Sequence, residues 1–164
     1  MQQLKNLWFN VLVSPARVRL YVWLSLVTQV LIVVTGGAVR LTASGLGCPT
    51  WPKCTAESLV NTPEMGIHGI IEFANRLLTF VLALVALLTF ITIVRLGKRL
   101  RKGLFAPALI LGLGIPAQAV LGGFTVLFNL NPWFVGAHFV LSAYMISMAS
   151  VLVWRAIKSE HTPV

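Results

Sequence analysis

Four long apolar segments, separated by short polar connections, dominate the chain. They cover about residues 20–39, 67–94, 104–127 and 133–154. Each reaches the roughly 20 residues that a helix needs to cross the hydrocarbon core of a bilayer. Because every backbone group in lipid must find a partner within its own segment, all four are predicted to be helices. The pattern predicts an all-α, integral membrane four-helix bundle over residues 20–155.

The composition supports a membrane protein. Hydrophobic residues make up 57% of the chain and charged residues only 10%, whereas about a quarter of a typical soluble domain is charged. The N-terminal segment, residues 1–19, is expected to lie in the cytoplasm or at the membrane interface, where Trp8 and Phe9 suit the headgroup layer. The first apolar segment does not resemble a cleavable signal peptide. Residues 156–164 are expected to form a cytoplasmic tail.

The charges predict an orientation. The chain carries a formal net charge of +9, and most basic residues lie on one side of the predicted bundle. They are Lys5, Arg17 and Arg19 before the first segment, Arg95, Lys98, Arg99, Arg101 and Lys102 between the second and third, and Arg155 and Lys158 after the fourth. This positive-inside distribution predicts that both termini are cytoplasmic and that the loop at residues 40–66 is extracytoplasmic. It favours membrane lipid over nucleic acid as the partner of these charges.

The second segment carries a polar run, HGIIEFANR, between His68 and Arg76. At helical spacing His68, Glu72 and Asn75 share one face, with Arg76 beside them. Polar groups inside a membrane helix are costly and usually face a partner, a cavity or a cofactor, so this run is a candidate site. Glu72 either forms an ion pair with Arg76 or acts as an acid–base group. Asn75 is either a hydrogen bonder between helices or a neighbour of the reacting groups.

A second histidine, His138, lies near the start of the fourth segment. Antiparallel packing places it at a depth similar to that of His68. Two histidines at one depth on different helices suit the axial positions of a haem iron. Each alone is also compatible with an ordinary hydrogen-bonded residue near the interface. With a haem present, Arg76 could bind a propionate, and His161 in the tail is expected to have no specific role.

Cys48 and Cys54 enclose the motif CPTWPKC in the long loop. The spacing and the oxidising side of the membrane permit a disulfide. A redox-active pair that relays electrons is an alternative. A metal site is less favoured because the loop offers only two thiols and no histidine. We therefore expect no non-haem metal site.

The first and third segments end in similar motifs, TQVLIVVTGGAVRL and AQAVLGGFTVLFNL. Each places a glutamine, Gln29 or Gln118, one to two turns before a pair of glycines. An internal duplication that pairs helices one and two with helices three and four would explain the likeness. Close packing at glycine-rich helix ends would explain it equally well.

Four stretches together resemble the N-terminal half of the haem A synthase family: GGAVRLTASGLGCPTWPKC, HGIIEFANRLLT, QAVLGGFTVL and PWFVGAH. The resemblance covers about residues 35–144. It implies a membrane enzyme that oxidises the C8 methyl of haem O to a formyl group, making haem A for cytochrome oxidase. Family members usually have eight helices in two similar halves. The resemblance implies Glu72 as the catalytic acid, His138 as a haem ligand, and Cys48 with Cys54 as the extracytoplasmic cysteine pair.

The chain departs from the family pattern in two respects. Where the family has Glu-x-x-His-Arg, this chain has Glu72, Asn75 and Arg76. Either His68 is the second ligand, or this half binds haem through His138 alone. The second half is also missing, which suggests a fragment or a half-length member that forms a homodimer. The expected function is haem A synthase-like oxidation of haem O, with haem b as a possible cofactor. Haem O synthase and cytochrome oxidase assembly factors are possible partners. The alternative is a non-catalytic, bis-histidine haem b protein that transfers electrons.

Overall fold

The computed structural model describes residues 11–158 of the chain. It contains four long helices: α1 (Val18–Leu41), α2 (Gly66–Val94), α3 (Lys98–Leu127) and α4 (Pro132–Lys158). All four are long and apolar enough to cross a membrane, and residues 11–158 contain no strand. The predicted all-α, four-helix membrane fold is confirmed. The orientation of the termini stays a prediction, and the expectations for Trp8, Phe9 and His161 fall outside the described residues.

The helices α3 and α4 extend beyond their apolar segments. The first turn of α3 lies within the basic connection, and α4 continues to Lys158. Long basic side chains allow this because their stems can pack along apolar surface while their charged ends reach water or headgroups. The helix α2 follows a short 3₁₀ turn at Pro63–Met65, and Gly66 joins the two with a φ of +56°. Glycine adopts that backbone conformation without steric cost.

The four helices form a ring in which each helix packs against two neighbours. The helix α1 packs against α2 and α4, and α3 packs against the same two helices. Short connections make α2, α3 and α4 successively antiparallel, as in an up-and-down bundle. The helices α1 and α2, joined by the long loop, are also antiparallel, because Ser25 bonds to Thr89 and Thr35 bonds to Asn75. The helices α2 and α4, which carry His68 and His138, therefore lie across the diagonal of the bundle from each other.

The two ends of the bundle are packed differently. We call the end that carries residues 42–65 the loop end, and the end that carries residues 95–97 the opposite end. The continuous core fills the opposite end and consists of Val22, Leu82, Ala86, Ile93, Leu96, Leu104, Ala108, Leu111, Ile115, Met145, Ala149, Leu152, Val153 and Ala156. Towards the loop end, α1 has no buried side chain after Gln29 and α4 has none before Met145. The opposite end is thus closely packed on all four helices, whereas at the loop end α1 and α4 bury no side chain.

Candidate functional site

The polar run of α2 faces the long loop. His68, Glu72 and Arg76 follow one another at intervals of four residues, so they form a stripe along one side of the helix. Each of the three makes hydrogen bonds to residues 44–54, which we call the 44–54 loop. Ser44 Oγ lies 2.9 Å from His68 Nδ1. The stripe therefore holds the loop against the loop end of the bundle.

Arg76 makes the largest number of these contacts. Its Nε and Nη2 donate to Glu72 Oε1 at 3.2 and 2.6 Å. Nη2 also donates to the carbonyl of Cys48 at 3.0 Å, and Nη1 donates to the carbonyls of Thr50 and Lys53 at 3.0 and 3.1 Å. A guanidinium has five N–H donors, and all five are used here. A haem propionate would have to displace one of these acceptors in order to bind Arg76.

Glu72 is only 5% exposed, and both of its carboxylate oxygens accept hydrogen bonds. Oε1 accepts from Arg76, and Oε2 accepts from the backbone N–H of Cys48 at 2.8 Å. A buried carboxylate needs such partners because removing an isolated charge from water costs several kcal/mol. The ion pair between Glu72 and Arg76 is therefore present. The carboxylate oxygens keep further lone pairs, so the ion pair with Arg76 does not prevent Glu72 from accepting another hydrogen bond.

The 44–54 loop is closed by a disulfide and packs on two helices. Cys48 and Cys54 are joined to each other, and both are fully buried. The loop residue Trp51 packs against α3 so closely that a Cβ added to Gly123 would come within 2.5 Å of the indole. The loop backbone at Gly47 approaches α2 so closely that a side chain there would collide with the helix backbone. The loop therefore covers the ends of α2 and α3.

Asn75 points to a different neighbour. Its Oδ1 accepts a hydrogen bond from Thr35 Oγ1 on α1 at 2.7 Å. Of the two roles considered for Asn75, the structure thus contains the hydrogen bond between helices. This residue occupies the position at which the family pattern has a histidine, whereas His68 lies on the stripe that faces the loop.

His138 packs against α3 rather than against the loop. A Cβ added to Gly122 would lie 3.2 Å from its Cε1, so the absence of a side chain at Gly122 makes room for the imidazole. Its Nδ1 is buried and has no hydrogen-bond partner within residues 11–158. Gln118 Nε2 donates to the backbone carbonyl of His138 at 3.2 Å and to Ser142 Oγ at 2.6 Å. These two polar neighbours were not assigned to the site from the sequence, although Gln118 stands out as an amide one turn before a glycine pair.

In the structure, some of the predicted site residues contact one another and others do not. Hydrogen bonds and the disulfide bring together Cys48, Cys54, Glu72 and Arg76. No hydrogen bond within residues 11–158 joins His68 to His138. Each histidine nevertheless keeps a ring nitrogen that could bind a metal. The bond between His68 Nδ1 and Ser44 leaves Nε2 as the nitrogen for a metal, and His138 combines a buried, unpartnered nitrogen with loose packing around the loop end.

Comparison with known proteins adds an independent observation. Residues 19–164 match a family model described as "Cytochrome oxidase assembly protein". A "Heme A synthase" of Bacillus pumilus is 35% identical over 144 residues, which cover 85% of this chain and 45% of the relative. A "Heme A synthase" of Exiguobacterium sibiricum is 31% identical over 82% of this chain and 44% of its own length. The chain belongs to the haem A synthase family.

Membership in the haem A synthase family confirms the resemblance and connects the chain with haem biochemistry. The chain spans less than half the length of these two relatives. A "Protoheme IX farnesyltransferase" of Thermus thermophilus is also 31% identical over 119 residues, which are 71% of this chain and 19% of that protein. No solved structure matches the chain.

Proposed function

We propose that this chain binds haem O at the loop end of its bundle and takes part in oxidation of the C8 methyl group to a formyl group. The observation that carries the proposal is His138, whose imidazole packs against Gly122 and whose buried Nδ1 has no hydrogen-bond partner within residues 11–158. Membership in the haem A synthase family supports haem O as the substrate. The loose packing of α1 and α4 around the loop end supports the location.

In this proposal each polar group of the site has a defined role. His138 ligates the iron, and His68, with its Nδ1 bound to Ser44, is the second ligand. Glu72 accepts or donates protons during oxidation of the methyl group, and Arg76, whose Nη2 lies 2.6 Å from Glu72 Oε1, holds the carboxylate in position. The bound haem supplies the iron at which the oxidation takes place. The 44–54 loop covers this end of the bundle and limits the access of water, which strengthens electrostatic interactions beneath it.

The chain is, in this proposal, a multi-pass protein of the cell membrane with both termini in the cytoplasm, as the distribution of basic residues predicts. A second four-helix unit, in another copy of this chain, in a separate protein or in a longer form of the same chain, completes the enzyme and holds haem b. The likeness to a protein named for farnesyl transfer to protohaem supports haem O synthase as a partner that supplies the substrate.

A second candidate is a non-catalytic electron-transfer protein that holds haem b through two histidine ligands. One observation favours it. Both oxygens of Glu72 already hold structural partners, namely Arg76 and the backbone N–H of Cys48. In that case Glu72 serves only to fasten the 44–54 loop, and its replacement leaves electron transfer through the haem intact.

Replacement of Glu72 separates the two candidates. The variant Glu72→Gln keeps the shape of the side chain and an oxygen that can accept from Cys48, but it removes the acid–base group. The matched control is Glu57→Gln, which changes an exposed acid in the connection between α1 and α2. Each variant is co-expressed with a haem O source, and the extracted haems are separated by chromatography. Loss of an acid–base group typically lowers a rate about 10²- to 10⁴-fold.

We expect Glu72→Gln to retain haem and its visible spectrum while haem A formation falls by at least a hundredfold. Glu57→Gln should behave as the wild type. Continued haem A formation in Glu72→Gln would show that the catalytic assignment is wrong and would favour the electron-transfer protein. A colourless wild-type protein would exclude both candidates. His138→Ala should lose most of its haem, which tests the ligand assignment separately.

A further inference from the structure

Metal-bound histidines generally need a partner for the nitrogen that does not bind the metal. That second nitrogen usually donates its hydrogen to a carboxylate, a carbonyl or water, which fixes the tautomer and the orientation of the ring. For His68 the partner is Ser44. For His138 no partner of Nδ1 exists within residues 11–158, although this nitrogen is buried. A haem ligand at this position therefore requires a hydrogen-bond acceptor near His138 Nδ1.

Gln118 is the residue that meets this requirement. It precedes Gly122 by four residues on α3, so both lie on the same side of that helix. Gly122 is the position against which the imidazole of His138 packs. The amide of Gln118 is directed at α4, where its Nε2 donates to Ser142 Oγ and to the backbone carbonyl of His138. Its Oε1 is buried and, like His138 Nδ1, has no partner within residues 11–158.

We propose that Gln118 is the positioning residue of the haem ligand His138. The structure does not contain a bond between Gln118 Oε1 and His138 Nδ1; in the proposal a side-chain adjustment lets Oε1 accept the hydrogen of His138 Nδ1 while Nε2 keeps the bond to Ser142. One hydrogen bond then satisfies two buried polar atoms that are otherwise orphaned, each of which is costly to leave unpaired. The bond selects the tautomer with hydrogen on Nδ1, and the lone pair of Nε2 is free for the iron. This inference rests on the proposed function because it takes His138 as the ligand.

The tautomer can be measured without haem. In the haem-free full chain labelled with ¹⁵N-histidine, the nitrogen shifts of His138 should report hydrogen on Nδ1 in the wild type. In Gln118→Leu, which removes the acceptor, they should report a mixture of the two neutral tautomers. The matched control is Gln29→Leu, because Gln29 is the corresponding buried glutamine before the glycine pair and lies on a different helix, α1. The control should keep the tautomer of the wild type.

The haem-loaded protein provides a second measurement. Loss of a partner of this kind typically weakens metal binding about tenfold to a hundredfold, so Gln118→Leu should bind haem correspondingly less tightly. Gln118→Glu, which offers a stronger acceptor, should restore the affinity. It should also shift the midpoint potential to a more negative value, because a more electron-rich imidazole stabilises the ferric iron. Gln118→Leu should shift the potential in the opposite direction.

A merely structural glutamine gives a different result. If Gln118→Leu keeps both the tautomer and the potential of the wild type, the inference is overturned, whatever happens to thermal stability. If His138→Ala binds haem with an unchanged spectrum, the ligand assignment of the proposed function fails. The nitrogen shifts of the haem-free protein then still decide whether Gln118 bonds to His138. The two failures are therefore distinguishable.

Discussion

Replacing Arg76 by leucine should release the 44–54 loop from α2. Leucine keeps most of the apolar stem but removes all five N–H donors. The loop then loses the hydrogen bonds to the carbonyls of Cys48, Thr50 and Lys53. Glu72 is left as a buried carboxylate whose remaining described partner is the backbone N–H of Cys48.

The size of the effect follows from the burial of the ion pair. Removing one partner of a buried pair typically costs 3–5 kcal/mol, because the other charge stays desolvated. Here the side chain of Glu72 is 7% exposed and that of Arg76 is 20% exposed. The partial exposure of Arg76 places the estimate at the lower end, about 3 kcal/mol. Since about 1.4 kcal/mol corresponds to a factor of ten, local opening of the loop should become about a hundredfold more frequent.

Hydrogen exchange of the Cys48 amide measures this opening directly, because that N–H donates to Glu72 Oε2 at 2.8 Å. We expect exchange to accelerate about a hundredfold in Arg76→Leu. The matched control is Arg40→Leu, which removes an exposed arginine at the same end of the bundle. A double variant with Glu72→Gln should recover part of the loss, since no charge is then left buried. Unchanged exchange at Cys48 in Arg76→Leu would refute the view that Arg76 holds the loop.

Two further predictions concern the same loop. Gly123→Ala places a Cβ within 2.5 Å of the Trp51 indole, so it should destabilise the docked loop by about 1–3 kcal/mol, as overpacking usually does. Hydrogen exchange of the loop measures the change, and Gly112→Ala, which meets no atom within 4 Å, should have no such effect. Serine at both Cys48 and Cys54 should destabilise the loop by about 2 kcal/mol, from the chain-entropy estimate for a short loop. Proteolysis of the loop in detergent should then be faster, and an unchanged rate would contradict this.

The sequence alone determined the secondary structure and the architecture. In lipid the backbone of a helix must satisfy its own hydrogen bonds, so the length of an apolar segment is enough to predict a spanning helix. The ion pair between Glu72 and Arg76 was also among the alternatives read from the sequence, because residues four apart on a helix are neighbours whatever surrounds them. The family resemblance came from four local motifs, and the comparisons confirmed it.

Only the tertiary structure decided which groups the polar residues contact. Arg76 bonds to backbone carbonyls of the loop, and every residue has a carbonyl, so no side chain in the sequence indicates this partner. The bond from Asn75 to Thr35 and the packing of His138 on Gly122 depend on how each helix is rotated about its axis. That rotation is set by the packing of the whole bundle. Contacts within one helix are therefore encoded locally, whereas contacts between helices and with an irregular loop exist only once the bundle has formed.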